Sequence, residues 1–235
     1  MIPAFSVRMP CDVQSVNIGG HTVVFIDDFL QQPHALVEAA CASAFEAAGS
    51  VTEKKGYPGV RAPAPLAYTQ ALTALADPLI KANFPIPADL PVKVGLSAFS
   101  LTTTAPEALG PLQCTPHFDA SSPHYMAVLL YLCDSQHGGT GFYRHNATGL
   151  QRITAADRER YLDVYHQEVN LRRPAARYFD RSDERFTFLG MMPARFNRLV
   201  VYPGSLLHSA CINPACSLSS DPRRGRLTVN TFYDF

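Results

Sequence analysis

The chain has 235 residues, a length that suits one sizeable domain and leaves room for a large apolar core. Its 20 basic and 20 acidic residues balance, which argues against a general nucleic-acid binder and against a protein held on anionic membranes by charge. We therefore expect a single domain over residues 1–235, in which any anion site is a local cluster of cations.

The six cysteines form no CxxC pair and no zinc-like spacing, so we expect free thiols. No secretory apolar segment opens the chain, and no apolar run is long enough for a transmembrane helix. These patterns predict a soluble, cytoplasmic protein without nucleic-acid or membrane partners. The oligomeric state stays open, a homodimer included.

The first 90 residues predict a strand and two helices that pack on the outside of a sheet. A β-branched and aromatic run predicts a strand at 22–26, and the alanine-rich stretch 33–48 predicts a helix. Glycines and prolines predict a loop over 49–65. Leucines at helical spacing predict a second helix over 67–82.

Residues 91–235 carry mainly strand signals. Strands are predicted at 92–103, 112–119, 125–132, 141–145, 185–191, 197–202 and 226–233. One helix interrupts them, at 155–168, where Thr154 and Asp157 have the spacing of an N-terminal cap. Short strands at such intervals suit a two-sheet barrel, so the fold class is mainly β with flanking helices. Residues 171–185 are charged with mixed sign, which favours a solvated surface segment, with a lid over the site as the alternative.

A candidate metal site begins with His117 and Asp119. Residues i and i+2 of a strand point to the same face, so an imidazole and a carboxylate can enter one site. His208, which follows the predicted strand 197–202, is the candidate for a third ligand. Two histidines and one carboxylate on one face of a metal are the arrangement that holds non-haem Fe(II) and leaves positions open.

A candidate anion site lies on the last predicted strand. Alternation puts Arg226, Thr228 and Asn230 on one face, and an arginine beside a hydroxyl can bind both oxygens of a carboxylate.

In these motifs the chain resembles the 2-oxoglutarate- and Fe(II)-dependent dioxygenases, and within them an uncharacterised bacterial group of oxygenase-like proteins. The resemblance is carried in order by Pro116-His117-Phe118-Asp119, by Gly138-Gly139-Thr140-Gly141 after a core strand, by the strand that leads to His208-Ser209, and by Arg226-Leu227-Thr228. It implies a double-stranded β-helix, the jelly-roll or cupin-like barrel, built from residues 91–235 with residues 1–90 as buttress.

The resemblance also implies roles for the site residues. His117, Asp119 and His208 would bind Fe(II), and Arg226 with Thr228 would hold the far carboxylate of 2-oxoglutarate as cosubstrate. The reaction would be hydroxylation of a small-molecule, amino-acid or peptide substrate, with release of succinate and CO₂. The interval from His208 to Arg226 is longer than is usual in the family, because a loop-like insertion at 213–222 lengthens it, and Arg224 is the competing arginine.

Alternatives stay open for several of these residues. Tyr131 could reach the cosubstrate with its hydroxyl or simply pack in the core, and His208 could cap a turn after Pro203-Gly204. Three further histidines are expected in loops or on the surface: His124, His137 and His145. Two other function classes compete with the dioxygenase: a jelly-roll binding protein without catalysis, and a zinc hydrolase using the same His/Asp/His set.

Overall fold

The computed structural model describes residues 5–47 and 57–235. Strands occupy β1 (Val13–Ile18), β2 (His21–Ile26), β3 (Glu46–Ala47), β4 (Gly59–Pro63), β5 (Lys93–Thr102), β6 (Tyr125–Tyr131), β7 (Gly138–His145), β8 (Phe186–Pro193), β9 (Arg198–Pro203), β10 (His208–Ile212) and β11 (Leu227–Asp234). The helices are α1 (Pro33–Cys41), α2 (Leu66–Asn83), α3 (Arg158–Leu171) and the single turn α4 (Pro214–Ser217). The chain is thus mainly β with few helices, as its sequence predicts.

The strands form two antiparallel sheets. The large sheet has eight strands in the order β1-β2-β9-β6-β11-β5-β4-β3, and the small sheet has the order β10-β7-β8. An isolated bridge joins His117 to His208 and so extends the small sheet beyond β10.

The two long helices of the N-terminal half cover one face of the large sheet. Leu36 of α1 and Leu72 of α2 are fully buried in the same cluster as Leu130, Val201 and Val229 from the central strands. Both helices therefore pack against the same face of the large sheet. The opposite face of the same strands packs against the small sheet.

Element bounds differ from the prediction where tertiary pairing overrides local composition. The helix predicted over 33–48 ends at Cys41, because Glu46–Ala47 leaves the helical path to pair with β4. The loop predicted over 49–65 contains β4, which pairs along five residues with β5. The part of these predictions at 48–56 lies outside the described residues.

Residues 112–119 do not form the predicted strand. A 3-10 turn occupies Pro111–Gln113, and only His117 makes a ladder-type bridge. Proline lacks an N–H donor, so Pro111 and Pro116 cannot contribute to a regular ladder. Strand alternation is therefore not what places the His117 and Asp119 side chains together.

The third predicted helix begins three residues late, at Arg158 instead of residue 155. The Thr154 hydroxyl donates to the Asp157 carboxylate at 2.7 Å and closes a turn before the helix, so neither side chain caps it. The predicted surface segment 171–185 is only partly solvated, because Tyr178, Phe179 and Arg185 are buried.

Two further sequence expectations concern the cysteines and membrane spans. All six cysteines are free thiols, and three of them are buried. Within residues 5–47 and 57–235, none of the helices combines the length and the apolar character that crossing a bilayer requires.

Candidate metal centre

Backbone hydrogen bonds hold His117 and His208 side by side. The His117 N–H donates to the His208 carbonyl, and the His208 N–H donates to the His117 carbonyl, each at 2.8 Å. The Asp119 N–H donates to the Gly204 carbonyl at 2.7 Å. A Cβ at Gly204 would lie 2.8 Å from the Tyr125 ring and 3.2 Å from the Asp119 side chain, so this close approach requires glycine.

The three side chains converge. Each of His117, Asp119 and His208 offers one ligand atom, and these atoms all lie within 4.8 Å of one another. The Asp119 carboxylate oxygens lie 3.8 Å from His117 Nε2 and 3.6 Å from His208 Nε2. Ligand atoms about 2.0–2.2 Å from a shared ion lie roughly 3.0–3.5 Å apart, so small side-chain adjustments would bring the three groups onto one ion.

The orientation of His208 suits a ligand. Its Nδ1 lies 2.9 Å from the Leu206 carbonyl, which can only accept, so in the neutral ring Nδ1 carries the proton. Nε2 then has a free lone pair on the side of Asp119. A carbonyl that fixes the tautomer in this way is the usual outer partner of a metal-binding histidine. The turn-capping alternative is compatible with this geometry, because the Leu206 contact uses only Nδ1.

Burial is graded across the cluster. The side chain of His208 is 6% exposed and that of Asp119 14%, whereas that of His117 is 47% exposed. The cluster therefore has a sheltered side toward the protein core and an accessible side. The donor set and the fixed tautomer fit a divalent transition metal with positions left for exogenous ligands.

The triad opens into a cavity of about 490 Å³ between the two sheets. Besides His117, Asp119 and His208, its wall includes Arg226, which is fully buried just before β11. A buried guanidinium that reaches a cavity of this size is a ready anion site, because it stays charged and presents a planar fork.

The contacts of Arg226 hold its guanidinium in place without using all of its donors. Nη2 donates to the Gly139 carbonyl at 3.3 Å, and the guanidinium carbon lies 5.8 Å from the Tyr131 ring centroid. Nε has no hydrogen-bond partner among the described residues. Burial by itself lowers the pKa of Arg226, but the neighbouring Tyr57 and Tyr131 hydroxyls outweigh it, and the pKa is raised. Arg224, the competing arginine, is exposed and does not line the cavity.

The other two expected cosubstrate contacts lie one layer behind the cavity wall. The Thr228 hydroxyl donates to Asn230 Oδ1 at 2.8 Å, and the Tyr131 hydroxyl lies 2.6 Å from Thr140 Oγ1. Asn230 and Thr140 line the cavity, whereas Thr228 and Tyr131 do not. Burial raises the pKa of Tyr131 to about 12, so it stays a neutral hydroxyl. Thr228 and Tyr131 thus orient the polar groups that a ligand would meet.

Three histidines were expected in loops or on the surface, and this prediction is wrong for His145. It ends β7 fully buried, with Nε2 at 2.9 Å from a Glu168 carboxylate oxygen and Nδ1 at 2.9 Å from Thr148 Oγ1. The rings of Tyr161 and Phe186, each 5.1 Å away, enclose it. His124 and His137 lie at partly exposed turn positions. None of the three joins the triad.

Several cavity residues come from segments for which the sequence predicts no role in the site. Tyr57 and Arg61 come from the predicted loop 49–65, Tyr161 and Tyr165 from α3, and Tyr178 from the predicted surface segment. The helical spacing of the two α3 tyrosines is equally typical of core packing.

The fold and the side-chain cluster together define a mainly β protein with a His/Asp/His group that could hold a metal ion. A family model described as a family of unknown function, DUF6445, matches residues 9–233, and the chain belongs to that family. No curated protein sequence matches it.

Among solved structures, iron-bound HygX from Streptomyces hygroscopicus is 13% identical to this chain, with a TM-score of 0.39, over 90% of this chain and 81% of HygX. Apo HygX gives 14% identity and a TM-score of 0.40 over the same shares. A novel N-substituted L-amino acid dioxygenase from Burkholderia ambifaria AMMD is 13% identical, with a TM-score of 0.41, over 95% of this chain and 93% of that one. At these scores the likenesses carry no argument about the present chain.

Proposed function

We propose that the protein is an Fe(II)- and 2-oxoglutarate-dependent dioxygenase that hydroxylates a small-molecule, amino-acid or peptide substrate. The observation that carries the proposal is the joint presence, in one cavity, of the His117, Asp119 and His208 cluster and the buried Arg226. A metal site alone would also suit a zinc hydrolase, but a hydrolase has no use for a buried guanidinium facing the cavity.

The strand order supports a jelly-roll core for this function. In chain order, the segments from β5 onward are distributed between the sheets as follows: β5 is in the large sheet, His117 borders the small one, β6 is in the large one, β7 and β8 are both in the small one, and β9, β10 and β11 are in the large, small and large sheets. Eight segments divided between two facing sheets in this way are compatible with a double-stranded β-helix. In that fold the triad and Arg226 belong to the space between the sheets.

The spacing of the two sites suits a short dicarboxylate. Arg226 contacts Gly139, and His208 pairs with Phe142, three residues further along β7. Three residues of a strand span about 10 Å, a distance that 2-oxoglutarate, bound at both ends, can bridge. Arg226 would bind the far carboxylate by a charge-assisted pair, with its unpartnered Nε as one available donor.

The triad would supply the ligands for Fe(II): Asp119 through its carboxylate and the two histidines through ring nitrogens. Bound iron would supply the oxidative chemistry: decarboxylation of 2-oxoglutarate to succinate and CO₂, coupled to hydroxylation of a substrate C–H bond. The protein contributes position and shelter: the Leu206 carbonyl orients His208, and the cavity walls limit the access of water.

Anaerobic titration with Fe(II) and 2-oxoglutarate tests the proposal without knowledge of the substrate. We expect a weak visible charge-transfer band, typical of a keto acid bound through two oxygens to Fe(II), that is lost in His208→Ala and retained in Arg224→Ala. Metal binding without a band would reject the dioxygenase and favour the zinc hydrolase, which assays of ester and amide hydrolysis would then examine. Absence of both metal binding and a band, in a folded protein, would leave the non-catalytic binding protein.

A further inference from the structure

A second arginine, Arg61 on β4, lies on the cavity wall. Its neighbours on the strand, Val60 and Ala62, pack into the core on the helix side, so alternation directs Arg61 to the opposite, cavity-facing side. Arg61 pairs with Ser100 of β5, and Ser100 pairs with Thr228 of β11, which places all three on the face that carries Arg226.

Arg61 and Arg226 are separate cationic positions. They lie two strands apart and two residues out of register, which corresponds to roughly 12 Å between their Cα atoms. Tyr57 lies between them: its ring centroid is 5.1 Å from the Arg61 guanidinium carbon, its hydroxyl lies 2.7 Å from Thr102 Oγ1, and it raises the pKa of Arg226. The two arginines therefore come from different strands and share Tyr57 as a neighbour.

Measured along the direction of β11, the level of Arg61 falls between that of Arg226 and the metal end of the cavity. Asp119 contacts Gly204 next to Tyr125, and Tyr125 stacks on Phe232 at 5.7 Å between ring centroids, six residues beyond Arg226. Arg61 is in register with Thr228, two residues beyond Arg226 and four before Phe232, so it falls between the two ends. A group bound by Arg61 is thus beside the path from cosubstrate to metal, where a second molecule would have to lie to be oxidised.

The remainder of the wall is largely apolar or aromatic. On the side of α3, Phe118, Tyr161 and Leu162 line it, and on the large sheet Leu96, Tyr125 and Phe232 do. The Phe118 and Tyr161 rings meet edge to face at 5.8 Å between centroids. Among the described wall residues Asp119 is the one carboxylate, and it belongs to the triad. Binding sites with apolar walls and a few placed polar groups select ligands of matching composition.

We propose that Arg61 binds a carboxylate of the prime substrate, so that the substrate is an organic acid with an apolar or aromatic body lying against the α3 wall. This proposal rests on the proposed dioxygenase function. Arginine suits the role because its fork binds both oxygens of a carboxylate, and the Tyr57 ring holds it in place.

Calorimetry with matched probes tests the subsite. The probes are N-acetyl-L-phenylalanine, phenylacetate and 3-phenylpropionate, each with its neutral primary amide, titrated anaerobically into protein loaded with Fe(II) and 2-oxoglutarate. We expect at least one acid to bind wild type about tenfold or more tightly than its amide, because loss of a charge-assisted pair in a sheltered site is costly. Arg61→Gln should abolish this preference, and Arg61→Lys should restore part of it, since it keeps the charge without the fork. Arg224→Gln, an exposed arginine off the cavity wall, is the matched control and should behave as wild type.

The affinity for 2-oxoglutarate, read from the charge-transfer band, separates the two proposals. In Arg61→Gln it should fall far less than in Arg226→Ala, because Arg61 contacts the cosubstrate arginine only through Tyr57. Equal binding of acid and amide, no binding of any acid, or a loss of 2-oxoglutarate affinity in Arg61→Gln as large as in Arg226→Ala would overturn the subsite while the band leaves the dioxygenase intact. If wild type shows no band, the dioxygenase proposal is rejected. An acid that binds at Arg61 would then not be a dioxygenase substrate.

Discussion

The two faces of the large sheet use the same strands for opposite purposes. Leu227 and Val229 of β11 are fully buried on the side of the helices. Arg226, just before β11, and Asn230 within it point to the other face and line the cavity. The helix face is closed and apolar. The cavity face carries a buried guanidinium and an amide, which a core would exclude unless they had partners.

The difference favours a binding role for the polar face over a role in stability. Burial of apolar side chains on the helix face supplies the main driving force for folding. A buried arginine with one donor unpartnered costs free energy, which a bound anion offsets. Substitutions on the two faces should therefore separate stability from ligand binding, and the following expectations are ordered by the size of the effect.

Asp119→Ala should have the largest effect on binding. Removal of one of three ligands should lower Fe(II) affinity by more than about 100-fold, because even the outer partners of ligands are worth about 10 to 100-fold. Isothermal calorimetry under anaerobic conditions measures it, and the melting temperature monitors the fold. Unchanged Fe(II) affinity in a folded Asp119→Ala variant would exclude the triad as the metal site.

Arg226→Ala should weaken 2-oxoglutarate binding on the order of 100-fold while the affinity for Fe(II) stays as in wild type, since truncating one partner of a buried charge pair costs about 2–5 kcal/mol. The cosubstrate dependence of the charge-transfer band provides the measurement. Arg226→Lys, which keeps the charge but loses the fork, should fall between the two. If Arg224→Ala and not Arg226→Ala removes cosubstrate binding, the assignment of the arginine is wrong.

Leu227→Ala changes the neighbouring residue on the opposite face. It should lower the free energy of unfolding by about 2–5 kcal/mol, the usual cost of truncating a fully buried leucine. Denaturant unfolding measures this loss. The folded fraction should bind Fe(II) and 2-oxoglutarate as wild type does, and a selective loss of cosubstrate affinity would show that the two faces are not independent.

Asp27→Asn tests an ion pair that lies away from the cavity and contributes to stability. Asp27 accepts from Arg198 Nε at 2.7 Å and from Arg198 Nη2 at 2.9 Å, and these hydrogen bonds lower its pKa below the ordinary 3.8. The variant should lose about 1.5–3 kcal/mol of stability at neutral pH, the range for hydrogen bonds to charged groups.

The pH dependence of this loss follows from the sign of the shift. A carboxyl whose pKa is lowered on folding stabilises the native state above its unfolded pKa, and that contribution disappears as the pH falls through the lowered value. The difference between wild type and Asp27→Asn should therefore be constant above about pH 5 and vanish in strong acid. A difference that persists at the lowest pH would assign the effect to packing.

The central strands and two helices could be predicted because their pattern is local. Strands β5, β6, β9 and β11 have alternating or continuous apolar runs, and α2 has leucines at helical spacing, so each is specified by its own residues. The short strands β3 and β4 could not, because their glycine, proline and charged residues form strands only through pairing with a neighbour. Strand β10, whose first residue is His208, was also not predicted, and it pairs with β7.

For the candidate site, residue types and order in the sequence were enough to nominate His117, Asp119, His208 and Arg226. Strand alternation does not account for the convergence of His117 and Asp119, since 112–119 is not a regular strand and a backbone bridge to His208 holds the segment in place. The sequence assigns no role to Tyr57 and Arg61, because a predicted loop does not indicate which cavity it will border.

The sequence by itself determined the mainly β class, the covering helices and the chemical identity of the candidate ligands, because these depend on periodicity and residue type along short stretches. Only the tertiary structure decided that His208 comes within 3.6 Å of Asp119, that Arg226 and not Arg224 enters the cavity, and that Arg61 joins its wall. Those relations connect residues far apart in the chain, and they depend on strand register across two sheets, which local patterns do not encode.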